Sequence, residues 1–206
     1  MSLATLTVPE QMLLLLLDPA SGKPRARERF VNYAVTGAAL AELEAAGRIV
    51  VHRGRIAPAG SGPLGDPLLD MAFGRFRSGK RPRTVRWIHR NADAIGEACA
   101  LSLRERGLVG IEKRRALGLF PRHRYPLQGP DVITPLVEEL RAAAEHGFPG
   151  PRHQVLAALV SALRITPRVM PGSSRGVRKT MRSLAGSVWP AHVVRRMVRA
   201  ESSGDA

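Results

Sequence analysis

Apolar residues recur along most of the chain at helical spacing rather than in strict alternation. In "TVPEQMLLLLLDPASGKP", Thr7 stands three residues before Glu10, the spacing of a capping box, and predicts a short helix over 8–17 followed by a turn. Val35, Ala39, Leu40 and Leu43 share one face of a helix over 31–46, which Gly47 stops. "RIVVHRGRIAP" carries two β-rich runs around His52-Arg53-Gly54 and predicts a hairpin. After the loop "AGSGPLG", Asp66 and Pro67 suit the cap and first turn of a helix through Leu68, Leu69, Ala72 and Phe73. "RSGKRP" breaks that helix, and "TVRWIHR" begins another that bends or ends near Asn91. Ile95, Cys99 and Leu103 then share a helical face that Gly107 closes. "LVGIEK" and "ALGLF" predict paired strands, with Lys113, Arg114 and Arg115 at the bend.

Thr134-Pro135 begins a helix through Leu136 and Leu140, and "QVLAALVSALR" is apolar enough for a central buried helix. Two further helices are predicted over 177–184 and 191–200. The order helix, Gly, hairpin occurs twice, too imperfectly for a repeat. The fold class is mainly α: one helical domain over 1–206 with small β-hairpins, one of them protruding, and ends that fray at about 1–6 and 201–206.

The run Leu13 to Leu17 lies close to Arg25, Arg27 and Arg29, as in a membrane anchor. A spanning helix needs about 20 apolar residues. A signal peptide needs a basic segment before its apolar stretch, and here Glu10 precedes the leucines. The run is read as core, and the protein as soluble or bound only to a membrane surface.

Composition sharpens this. Hydrophobic residues make up 44% of the chain, as in a folded domain, and 32 Lys+Arg face 17 Asp+Glu, a net charge of +15. Only Lys23, Lys80, Lys113 and Lys179 are lysines. Guanidinium forks hold phosphate in two bonds, so the excess points to a polyanion, nucleic acid or acidic lipid. Cys99 is the only cysteine, which excludes an intrachain disulfide and suits a reducing cytoplasm.

Motifs for chemistry are thin. "GSGPLG" has the glycines of a dinucleotide loop but no strand–helix series and no acidic residue about 20 positions on, so it is read as a loop. "GSSRG" around Ser174 fits a nucleophile elbow, yet only His192, and no acid before Glu201, follows it. His52, His89, His123, His146, His153 and His192 show no metal-ligand spacing. No catalytic residue, metal or cofactor is assigned. The arginines carry more. They gather at Arg25, Arg27 and Arg29, from Arg75 to Arg90, from Lys113 to Arg124, from Arg175 to Arg182, and at Arg195, Arg196 and Arg199.

"EQMLLLLLDPASGK", "NYAVTGAALAELEAAGRIVV", "GDPLLDMAF", "TVRWI", "LRERGLVGIEK" and "LGLFPRHRYPL" resemble, in order and spacing, segments of the Golgi phosphoprotein 3 family, over about residues 10–163. The composition resembles a bacterial member. The resemblance implies a mostly helical domain with a protruding β-hairpin, peripheral binding to membranes through phosphatidylinositol 4-phosphate, and an adaptor role for membrane-protein tails. It implies that Leu117, Leu119 and Phe120 serve self-association or membrane contact. The family's headgroup positions fall on Arg27, Thr36, Asp93 and Gly96, none of which carries the family's residue. Arg25, Arg27, Arg29 and Arg90 lie beside them and, with Thr36, form the candidate headgroup set.

The resulting expectation is a cytoplasmic, peripherally membrane-associated, non-enzymatic protein that binds an acidic phospholipid surface. A second reading is a winged-helix-like nucleic-acid binder with Arg114 and Arg115 on the wing. A third is a hydrolase using Ser174.

Overall fold

Glu10 fixes where the first helix starts. Its carboxylate accepts from the Thr7 backbone N–H at 2.8 Å and the Thr7 hydroxyl at 3.0 Å. In the computed structural model, which describes residues 5–76, 80–116, 120–129 and 131–204, helix α1 spans Val8–Leu15. Glu10 is fully buried, and its other oxygen accepts from Ser102 Oγ at 2.7 Å and Arg106 Nε at 2.8 Å. A carboxylate is tolerated at that depth because every partner it needs is present. Leu14 to Leu17 have no exposed surface, so the leucine run is core. Among the described residues no helix is long and apolar enough to cross a membrane.

The turn after α1 closes through Asp18, whose Oδ1 accepts from Ser21 N and Oγ at 2.9 and 2.7 Å. These bonds hold the Asp18 pKa below the usual carboxylate value. Helix α2, Glu28–Ala45, follows and packs on α1. Strands β1, Ile49–His52, and β2, Arg55–Pro58, pair antiparallel with His52 opposite Arg55. Arg53 and Gly54 both have positive φ, as a two-residue hairpin turn requires. Helix α3, Pro67–Gly74, is capped by Asp66, which accepts from Leu69 N at 3.0 Å.

The predicted break near Asn91 is absent. Helix α4 runs unbroken over Thr84–Glu105. Asn91 turns its side chain back onto the Trp87 carbonyl, at 2.8 Å, one turn up the same helix. The helix continues through it, and α4 packs on α2.

Strands β3, Glu112–Ala116, and β4, Phe120–Arg124, form the second hairpin. It starts later than the apolar run suggested: Leu108 and Val109 are buried ahead of it, and Val109 bridges only to Leu127. Lys113, Arg114 and Arg115 lie in β3, opposite His123, Arg122 and Pro121, rather than at the bend. Helices α5, Ile133–Glu145, α6, Pro151–Ala162, α7, Thr166–Val169, α8, Arg175–Ser187, and α9, Trp189–Gly204, complete the chain. The fold is mainly α, as expected.

Buried apolar side chains from Leu6 to Val198 form one connected core. Helix α6 is central to it, with Leu156 to Val160 almost wholly enclosed. Glu201 belongs to α9 and accepts from Tyr33 Oη at 2.6 Å.

Candidate anion-binding site

Helix α4 separates two clefts of similar size and opposite electrostatic character. The first, of about 900 Å³, lies between α2 and α4 near the base of the second hairpin. Tyr33 and Arg29 stand one turn apart on α2, and α4 contributes His89, Asp93, Glu97 and Arg104. Arg29 is engaged through Nε and Nη2. Its Nε donates to Tyr33 Oη at 2.7 Å and lies 3.4 Å from Glu201, and its Nη2 is 2.7 Å from His89 Nε2. A guanidinium cannot accept, so His89 Nε2 must be the acceptor. The hydrogen bond to Tyr33 pushes the Arg29 pKa up, and burial together with the Glu201 bond pushes Tyr33 up to about 12.

Glu28, Asp93 and Glu97 also line this cleft. Glu28 pairs with His123, tying the hairpin to α2, and Asp93 accepts from Asn32 Nδ2 at 3.0 Å. Three carboxylates against two arginines make this a poor seat for a phosphate.

The second cleft, of about 910 Å³, opens between the first hairpin, the end of α3 and the start of α4. Arg55, Arg75, Lys80, Arg81, Arg83, Arg86 and Arg90 line it, with no carboxylate among them. The fold assembles them by a short strand-like contact: Arg55 bridges to Arg83, Ile56 N donates to Pro82 O at 3.0 Å, and Thr84 N to Gly54 O at 2.9 Å. That contact sets the first hairpin beside α4. Arg86 and Arg90 then follow one turn apart on the helix. Phe76 stacks on Trp87, with centroids 4.6 Å apart and planes 12° from parallel. Trp87 is 4% exposed, and its indole N–H is buried without an acceptor.

A model of the family described as Golgi phosphoprotein 3 (GPP34) matches residues 8–200. The chain belongs to the Golgi phosphoprotein 3 family. A search of curated proteins finds no match.

In this Golgi phosphoprotein 3 family member the expected headgroup residues do not converge. Thr36 is wholly buried in α2 and its hydroxyl has no hydrogen-bond partner, so it cannot touch a headgroup; this corrects the assignment made from sequence register. Arg25 is half-buried, and its Nε donates to the Leu17 carbonyl at 2.8 Å, closing the end of α1. Burial pulls its pKa down. Arg27 precedes α2 and lies over the Phe30 ring at 5.9 Å. Arg29 sits in the carboxylate-bearing cleft, and Arg90 in the cationic one on the other side of α4. A Cβ at Gly96 would come 2.2 Å from Asn32 Oδ1, so any side chain there displaces Asn32 from Asp93.

Leu117 and Leu119 lie outside the described residues, and Phe120 opens β4 opposite Ala116. The "GSGPLG" segment is a loop whose Ser61 and Pro63 carbonyls are held by Arg48. Ser174 caps α8, its Oγ accepting from Val177 N at 3.2 Å. The cationic run from Arg75 to Arg90 was legible in the sequence. Its junction with Arg55 and with the Phe76–Trp87 stack was not, because hairpin-to-helix docking leaves no local pattern.

Proposed function

We propose that this Golgi phosphoprotein 3 family member binds the surface of anionic phospholipid membranes peripherally, without catalysis, through the cationic cleft beside α4. The observation that carries this reading is that, among the described residues, seven cations and no carboxylate line the cleft beside the Phe76–Trp87 stack. Each Lys or Arg held near an acidic leaflet contributes ~1 kcal/mol, so the cluster supplies enough attraction for reversible binding. The Phe76–Trp87 stack, with Trp87 buried, is a floor beneath the cations rather than a membrane-inserting tip. Phosphatidylinositol 4-phosphate is one headgroup the cleft would take. The carboxylates Glu28, Asp93 and Glu97 argue against the α2–α4 cleft as its seat.

The test is co-sedimentation of the full chain with phosphatidylcholine vesicles, alone or containing phosphatidylglycerol or phosphatidylinositol 4-phosphate. The triple variant Arg83→Glu, Arg86→Glu, Arg90→Glu is expected to lose binding to both anionic vesicles, while Glu97→Gln retains it. Undiminished binding of the triple variant would overturn the assignment. A parallel duplex-DNA shift across a salt series separates the nucleic-acid reading: tighter, saturable binding to DNA than to vesicles would favour it.

A further inference from the structure

The longest stretch without an acidic residue runs from 146 to 200, and it holds ten Lys and Arg. In sequence these fall into separate groups. In the fold, Arg164 after α6, Arg178 and Arg182 on α8, and Arg195 and Arg199 on α9 line one cavity of about 450 Å³. The helical spacing explains the selection: 178 and 182, like 195 and 199, are one turn apart and share a face. Packing of α8 and α9 on α6 turns the two faces toward each other. Arg164 joins them through a left-handed backbone, φ 61°, just beyond the end of α6.

Among the described residues no carboxylate lines this cavity and none of the five guanidinium groups forms an ion pair. The Arg195 Nε–H is enclosed and has no acceptor. Arg178 donates only to the Ser173 carbonyl. Five like charges around one concavity repel one another, and an enclosed donor without an acceptor is unfavourable, so both costs would be relieved by a bound anion. A single phosphate monoester brings at most about two negative charges. Five arginines call for more than one such group. The hydroxyl-bearing Ser161 and Thr166 on the same wall add neutral polar lining.

We propose that this cavity is a second anion site, separate from the membrane-binding cleft, that takes a ligand with two or more clustered phosphate groups. Such groups can come from a soluble polyphosphorylated molecule or from a multiply phosphorylated headgroup.

The test titrates the full chain by calorimetry with inorganic phosphate, pyrophosphate and tripolyphosphate, and in a separate arm with phosphatidylcholine vesicles carrying phosphatidylinositol 4,5-bisphosphate. One tripolyphosphate per chain is expected, bound at least about tenfold more tightly than phosphate. Arg178 and Arg182 are exposed on α8, so Arg178→Gln with Arg182→Gln should weaken it about tenfold or more without disturbing the fold, as circular dichroism would check. Arg86→Gln with Arg90→Gln, in the other cleft, should leave it unchanged. Tripolyphosphate binding with no vesicle binding that depends on Arg178 and Arg182 identifies a soluble ligand. Absence of tripolyphosphate binding, with vesicle binding that depends on Arg178 and Arg182, identifies a headgroup. If neither arm responds to the Arg178/Arg182 variant, or the Arg86/Arg90 variant weakens tripolyphosphate equally, the site is overturned, and the membrane reading is judged separately by its own triple variant.

Discussion

Thr36 and Glu10 are both buried polar residues, and the difference between them lies in their partners. Glu10 accepts from Thr7, Ser102 and Arg106, joining the start of α1 to α4 and the residues beyond it. Thr36 Oγ1 accepts and donates nothing. An unpaired buried hydroxyl opposes folding, and a valine has the same shape without it. Thr36→Val is therefore expected to raise stability by about 1 kcal/mol in urea denaturation and to leave binding to anionic vesicles unchanged. Lost vesicle binding would return residue 36 to the headgroup set. The sequence register pointed to this position, but register carries no information on depth, and α2 turns this side of the helix inward.

At the scale of elements, the α1–α2 turn is docked on the second hairpin by backbone. Gly22 has φ 64°, its carbonyl accepts from Tyr125 N at 2.8 Å, and a Cβ there would meet the Tyr125 carbonyl group at 2.5 Å. Backbone cannot swing aside as a side chain does. Gly22→Ala should then destabilise the protein by about 2 kcal/mol or more, from the left-handed conformation and the clash together. A loss below about 1 kcal/mol in urea denaturation would mean the turn is not held against the strand. Most elements here were legible from periodicity and caps: Asp66, Pro67, Gly47 and the Arg53-Gly54 turn each mark a boundary that the fold keeps. The length of α4 was not. Asn91 is a weak helix former, and what supports the helix through it is tertiary packing of α4, most of all on α2, a term that propensity does not contain.

For the whole molecule, the chain carries two tyrosines, and both are buried. Burial and the Glu201 bond push Tyr33 up to about 12, and burial pushes Tyr125 up as well. A raised folded-state pKa means that the folded state holds the phenolic proton more tightly than the unfolded chain does. The corresponding stability is complete below the ordinary value of 10.0 and is lost as pH rises from there through about 12. Alkaline titration should show little tyrosinate absorbance at pH 10, then a rise that coincides with loss of helical circular dichroism. A midpoint at the ordinary value with the helices intact would contradict the enclosure of Tyr33 between α2 and α9.

Periodicity, caps and net charge are local or additive quantities, so the chain alone already set the class of fold, most helices and hairpins, the burial of the leucine run and the excess of positive charge. Tertiary structure decided where that charge acts. It joined Arg55 to the run from Arg75 to Arg90, gathered Arg164, Arg178, Arg182, Arg195 and Arg199 from three parts of the chain, and set Arg29 among carboxylates with Thr36 out of reach. Convergence of like charges depends on which helix faces meet, and that is fixed by packing of the core rather than by any spacing along the chain.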